Sequence, residues 1–161
     1  MNDIQEIKNL IFAYAEQLDL GNLGSVAEIF VKGEIYAPAT DSTVKGKENI
    51  LKMYEDSCRI YEETGTPCTK HITTNIIVNI DSNAGTADSR SYYSVIQATQ
   101  DFPLQPIIAG RYHDTFVKED GKWHFLKRVM FVDLMGDCCL LYTSDAADEG
   151  LGVDLGGRRI I

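Results

Sequence analysis

The sequence changes its period at Pro67. Before that residue the apolar side chains recur every three or four positions, and after it they alternate with polar ones. The first spacing belongs to helices buried along one stripe, and the second to strands with an inner and an outer face. A chain that switches once in this way is restricted to an α+β fold, with helices covering one face of a curved, mainly antiparallel sheet. Between Asp3 and Leu20, the residues Ile4, Ile7, Leu10, Ile11, Tyr14, Ala15 and Leu18 draw one stripe along a long helix. Asp3 is the expected cap, with Glu6 completing a capping box and Gly21 supplying the left-handed stop. A short helix follows at Ser25 to Phe30, then a short strand around Glu34 to Ala37 that Pro38 ends, and a third helix between Gly46 and Gly65. Runs at about Thr69 to Ile80, Thr86 to Ala98, Ile107 to Lys118 and Lys122 to Val132 read as antiparallel strands. Asp81 to Gly85 and Asp120-Gly121 are hairpin turns by chemistry, and Asp101 to Pro106 is a longer proline-containing connection.

With 161 residues the chain fits one domain that buries a sizeable core. Its net charge of −9 repels phosphate backbones and anionic lipid, and no basic run offsets it, so neither nucleic acid nor a membrane surface is an expected partner. The amino-terminal residues lack the basic-then-apolar order of a secretory signal, and Cys58, Cys68, Cys138 and Cys139 form no CxxC pair. Reduced thiols in a cytoplasmic protein are the expectation. The segment Cys139 to Ile161 has no sustained period, and its CLLYTSDAAD stretch resembles translated cloning or adapter sequence. The domain is therefore taken as residues 1–138, with 139–161 as a tail outside it.

His71, at the head of the first long strand, is the candidate base in a chain with only two other histidines, His113 and His124. No metal or other cofactor is expected. Strict alternation would place His71 with Thr69, Thr73, Asn75, Ile77 and Asn79 on the more polar face, a pocket wall or a solvated surface. The same rule sets Arg128 beside His124, Leu126, Met130 and Val132, where a buried guanidinium needs Asp19, Asp133 or a substrate anion as partner. Tyr14 lies on the helix stripe, as core or as pocket lining, and Tyr36 and Tyr112 stand open to the same two readings. Sequence spacing does not say whether Asp19 and His71 meet.

Three stretches, IKNLIFAYAEQLDLGN with VAEIF, then TKHITTNIIVNI, then GRYHDTFVKEDGKWHFLKRVMFVDLMGD, together resemble SnoaL-like proteins of the nuclear transport factor two-like superfamily. The resemblance implies a cone-shaped barrel in which a strongly bent sheet wraps the first helix around a deep pocket. It also implies that Asp19, ending that helix, orients His71, and that Arg128 matches the pocket arginine of the dehydrochlorinase relatives. Tyr14 and Tyr36 stand where that enzyme has lysine and tryptophan, so its substrate does not carry over; Tyr36 is closer to a dehydratase pocket tyrosine.

The expected function is a cofactor-independent lyase or isomerase of dehydratase, dehydrohalogenase or cyclase type, acting on a small hydrophobic, cyclic molecule. His71, Asp19 and Arg128 would be catalytic, and Tyr14, Tyr36, Asn75 and Tyr112 would bind substrate. The alternatives are a non-catalytic binding or dimerisation domain and an epoxide hydrolase, the last favoured by a second carboxylate near Arg128. A homodimer or homotrimer is expected from the family.

Overall fold

A computed structural model describes residues 2–138, 140 and 141. Three helices, α1 (Asp3–Asp19), α2 (Leu23–Ile29) and α3 (Lys47–Ser57), accompany six strands. The strands are β1 (Glu34–Ala37), β2 (Ser42–Lys45), β3 (Thr69–Asp81), β4 (Thr86–Thr99), β5 (Phe102–Glu119) and β6 (Lys122–Met135). They form one sheet in the order β2-β1-β6-β5-β4-β3, open at β2 and β3. Every neighbouring pair is antiparallel except β1 with β6. This is the expected α+β arrangement, with the inner faces of sheet and helices sharing one core.

The long first helix buries Ile7, Ile11, Tyr14, Ala15, Leu18 and Asp19. Its cap is Asn2 rather than Asp3: the Asn2 side chain accepts from the Gln5 amide at 2.8 Å. Asp3, freed from that task, pairs with Lys118 at 2.7 Å. At the other end the Asn22 amide reaches the Gln17 carbonyl and the Gly21 amide that of Leu18, a Schellman closure. Gly21 has φ of 74°, and a Cβ there would lie 2.4 Å from the Gly65 carbonyl oxygen. Both the dihedral and the contact require glycine.

The sheet departs from strict alternation where it bulges. In β3 the register shifts between Thr74 and Ile77, around Asn75 with φ of 55°. Asparagine tolerates that left-handed conformation better than the β-branched residues beside it. The extra residue flips the faces, so Ile76, Val78 and Ile80 join the inward side begun by Thr69, His71 and Thr73. In β6 the register shifts at Leu126, which sets Arg128 inward with Trp123 and Phe125 instead of with His124 and Leu126. A further shift at Ala109/Gly110 lets the Tyr93 hydroxyl donate to the Phe131 carbonyl at 3.0 Å.

One strand and several boundaries differ from those read in the sequence. Strand β2 was not expected. The third helix ends at Ser57, well before Gly65. Strand β5 begins at Phe102 and contains Pro103 and Pro106. Before Ile108 its only ladder partner is β4, and such a sheet-edge stretch is where proline is tolerated. Of the tail, only Leu140 and Leu141 are among the described residues. Tyr61 donates to the Leu140 carbonyl at 2.8 Å, and the Arg59 amide to that of Leu141 at 3.1 Å.

A Cβ on Gly110 would lie 1.9 Å from the Phe131 carbonyl oxygen and 2.9 Å from the Tyr93 ring. Gly110→Ala is expected to cost about 1–3 kcal/mol, the range for overpacking a tight site, measured as a lower denaturation midpoint with an unchanged slope.

Candidate active site

Asp19 is the last residue of α1 and is 6% exposed. A negative charge at a helix C-terminus opposes the helix dipole, so this position is costly unless donors surround it. Three do. The Thr69 hydroxyl donates to Oδ1 at 2.8 Å, the His71 amide to Oδ2 at 2.7 Å, and His71 Nδ1 lies 2.6 Å from Oδ1. Burial works against the carboxylate charge, but the hydrogen bonds and charge of His71, with the Thr69 hydroxyl, outweigh it and hold Asp19 below the ordinary aspartate pKa.

The strand head that supplies these donors is itself bent to the task. Cys68 has φ of 56°, an uncommon conformation for a residue with a side chain. Beyond it Thr69 and His71 both face inward. With Nδ1 engaged by Asp19, Nε2 is the ring nitrogen left to act.

His71 lines a cavity of about 140 Å³ enclosed by all three segments of the fold: α1 and α3, the β1–β2 hairpin, and the inner face of β3 to β6. By the volume one water needs, of about 10–15 Å³, this admits a ligand of roughly ten non-hydrogen atoms. Most of the wall is aliphatic or aromatic, and no Asp, Glu, Lys or Arg lines it among the described residues. Its polar groups are His71, a few hydroxyls and the tyrosines Tyr14, Tyr54, Tyr93 and Tyr112. The Tyr14 and Tyr54 hydroxyls are hydrogen-bonded at 2.8 Å. Whichever donates within that pair, the other has a proton to offer elsewhere. Burial raises the pKa of both, that of Tyr54 well above the usual phenol value, so both are neutral donors near neutral pH. Cys58 also lines the cavity; burial, aided by the Asp19 charge, pushes its thiol up to about 11. It is a poor competing nucleophile.

The structure thus brings His71, Tyr14 and Tyr112 to one cavity, with Asp19 held against His71 behind the wall, and it moves three expected site residues elsewhere. Arg128 is 0% exposed but lies outside the cavity wall. Its Nε and Nη2 donate to the two carboxylate oxygens of Asp114 at 2.9 and 2.8 Å. The partner is neither Asp19 nor Asp133, which instead pairs with Arg111. Burial alone disfavours the Arg128 charge, yet Asp114 more than offsets this, so the guanidinium stays ionised. Tyr36 points away from the wall formed by its neighbours Ile35 and Ala37, and its hydroxyl donates to Asp41 at 3.1 Å. Asn75 is exposed by the β3 bulge and borders a groove on the outer sheet face with Arg90, Arg111 and His113. Thr69, Tyr54 and Tyr93 belong to the site but are not singled out by the sequence. A tyrosine on a helix stripe, as Tyr54 is, reads as core unless its partner across the cavity is known.

The family model for the SnoaL-like domain matches residues 1–129. The chain belongs to the SnoaL-like domain family. Solved structures similar to this SnoaL-like chain include a candidate scytalone dehydratase from Novosphingobium aromaticivorans, 28% identical, with a TM-score of 0.66 over 84% of this chain and 87% of that one. An NTF2-like protein with a cystatin-like fold from the same organism is 19% identical, with a TM-score of 0.69 over 86% of each chain. ActVI-ORFA of Streptomyces coelicolor is 18% identical, with a TM-score of 0.66 over 82% of this chain and 98% of that one. No curated protein matches significantly.

Two expectations follow. Arg128→Ala leaves the Asp114 charge buried and unpaired, and should cost about 3–5 kcal/mol in chemical denaturation. Because Asp19 is depressed in the folded protein, its stabilisation is present above the unfolded aspartate pKa of about 3.9 and is lost as pH falls through the lower folded value. The stability gap between the wild type and Asp19→Asn should therefore shrink on acidification through that window; a constant gap would contradict the assigned direction.

Proposed function

We propose that the protein is a cofactor-independent lyase or isomerase that removes a proton beside the carbonyl group of a small, neutral, largely hydrophobic cyclic molecule. The observation that carries this reading is the 2.6 Å Asp19–His71 contact at the wall of a cavity that no Asp, Glu, Lys or Arg lines among the described residues. Asp19 favours a proton on Nδ1 and leaves the Nε2 lone pair facing ligand. Nε2 takes the proton from carbon, and the released electron pair moves towards the carbonyl oxygen. The Tyr14–Tyr54 hydroxyl pair supplies the hydrogen bond that this oxygen needs as its charge grows. The imidazolium formed is stabilised by Asp19. Return of the proton to another carbon completes an isomerisation, and loss of a group from the adjacent carbon completes an elimination.

The resemblance to a candidate scytalone dehydratase is consistent with the elimination branch. The two alternatives fare differently. A pure binding domain would be favoured by an Asp19 and His71 lying far apart or by a cavity filled with large side chains, whereas the pair touches and the cavity is open. Epoxide hydrolysis is favoured by a second carboxylate near Arg128, and Asp114 stands there at 2.8 Å; that pair, however, is fully buried and lies outside the cavity wall, where it meets no ligand.

The test is exchange of the protons beside the carbonyl of indanone, a ketone of the right size, followed by NMR in deuterated water. Wild type should catalyse exchange, and His71→Ala should lose about 10²–10⁴ of the rate, the usual share of a positioned general base. Tyr54→Phe should lose less, by up to about 10², with circular dichroism unchanged in both. Exchange by His71→Ala at the wild-type rate would remove the base assignment, and binding without exchange by the wild type would favour a ligand-binding domain.

A further inference from the structure

The buried guanidinium of Arg128 makes contacts that an ion pair alone does not require. Asp114 takes Nε and Nη2, while Nη1, also buried, has no hydrogen-bond partner among the described residues. The cation lies instead within an aromatic cage. Its central carbon is 4.0 Å from the Tyr112 ring centroid, 4.3 Å from that of Tyr14 and 4.9 Å from that of Phe125. Two of these three rings, Tyr14 and Tyr112, are walls of the cavity, and Phe125 is not. Arg128 therefore sits directly behind the surface that a ligand meets.

We infer that Arg128 is a positioning residue that acts through Tyr14 and Tyr112, holding their rings and strengthening their hydroxyls as donors to a carbonyl oxygen in the cavity. A cation packed on a phenol ring is attracted more strongly as the ring takes up negative charge, which happens when the hydroxyl donates to a developing oxyanion. The guanidinium suits this role better than an ammonium, because it is planar, weakly hydrated and permanently charged. Asp114 neutralises the pair overall without cancelling its local effect: on Tyr112 the pull of Arg128 exceeds the opposing push of Asp114, and on Tyr14 Arg128 is the chief influence opposing burial. Arg128 touches no ligand in this arrangement. Its charge reaches the cavity only through the tyrosines, which keeps the cavity wall itself neutral. The arrangement Asp114–Arg128–tyrosine–ligand is a relay of hydrogen bond, ion pair and cation–π contact from the sheet interior to the site.

This inference rests on the carbonyl reading above, and the test separates the two. Arg128→Met alone strands the Asp114 charge, so the charge-free variant is the double substitution Arg128→Met with Asp114→Asn, and Arg128→Lys is the charge-retaining control. Indanone with a labelled carbonyl is bound to each protein, and the carbonyl stretching band is read by infrared difference spectroscopy. In the wild type the band should move to lower frequency on binding, and Tyr14→Phe should diminish that shift. The charge-free variant should also diminish it while still binding indanone, and Arg128→Lys should restore part of it. A full shift in the charge-free variant, alongside a diminished one in Tyr14→Phe, would reduce Arg128 to a structural ion pair and leave the functional reading intact. A shift that only Tyr54→Phe diminishes would overturn the Arg128 role alone, whereas failure of the wild type to bind indanone, or a shift indifferent to both Tyr14→Phe and Tyr54→Phe, would overturn the carbonyl reading. In that event the ligand-free proteins still decide the Arg128 role. Near-ultraviolet titration should show a subset of tyrosines ionising at higher pH in the charge-free variant than in the wild type and Arg128→Lys, and coincident curves would overturn it.

Discussion

The carboxylate of Asp19 ties the two halves of this molecule together at the point where its chemistry is expected. It ends the central helix, where the dipole opposes a negative charge, and it is buried, where desolvation opposes it again. Only the head of β3 makes the position tenable, by turning a hydroxyl, a backbone amide and an imidazole towards it. That turn needs an unusual backbone conformation at Cys68. The Schellman closure at Gly21 then carries the chain away against the Gly65 carbonyl, so nothing but glycine fits beside the clamp. Costs of this kind, accepted locally and offset by the core around them, are what a site selected for function imposes on a fold.

A second buried charge is managed in the opposite way. Arg128 and Asp114 satisfy each other beneath the cavity and within the aromatic layer of Tyr14, Tyr112 and Phe125. Stacking of Tyr93 on Tyr112, with centroids 4.2 Å apart and planes 9° from parallel, extends that layer across β4 and β5. The result is a cavity wall without Asp, Glu, Lys or Arg among the described residues, while the Asp19 carboxylate and the Arg128–Asp114 ion pair stand behind it on two sides. Such a wall costs a neutral ligand little desolvation, yet leaves a base and hydroxyl donors where charge would form during proton removal.

The sequence carried the helices and the class of fold because a 3.6-residue stripe survives small errors of phase. It carried the strands less well. Asn75 and Leu126 each insert one residue into a ladder, and every side chain beyond the insertion changes face. For that reason Asn75 was placed with His71, and Arg128 with Leu126, when the opposite holds. The left-handed preference of asparagine was visible at position 75, but nothing in the β6 run marks Leu126 as extra. Proximity of Asp19 and His71 came from family resemblance rather than spacing, since two residues so far apart are joined only by the packing of helix on sheet. Tyr54 was legible as a core residue and not as a hydroxyl partner for Tyr14, because a helical stripe says which side is buried and not what it faces.

The account turns on the tautomer of His71, and nitrogen NMR of the protein with labelled histidine reads it directly. His71, assigned by its loss in His71→Gln, should in its neutral form carry its proton on Nδ1, strongly deshielded by Asp19, and present an unprotonated Nε2. A proton resting on Nε2 instead, with Nδ1 bare against the carboxylate or released from it, would contradict the account.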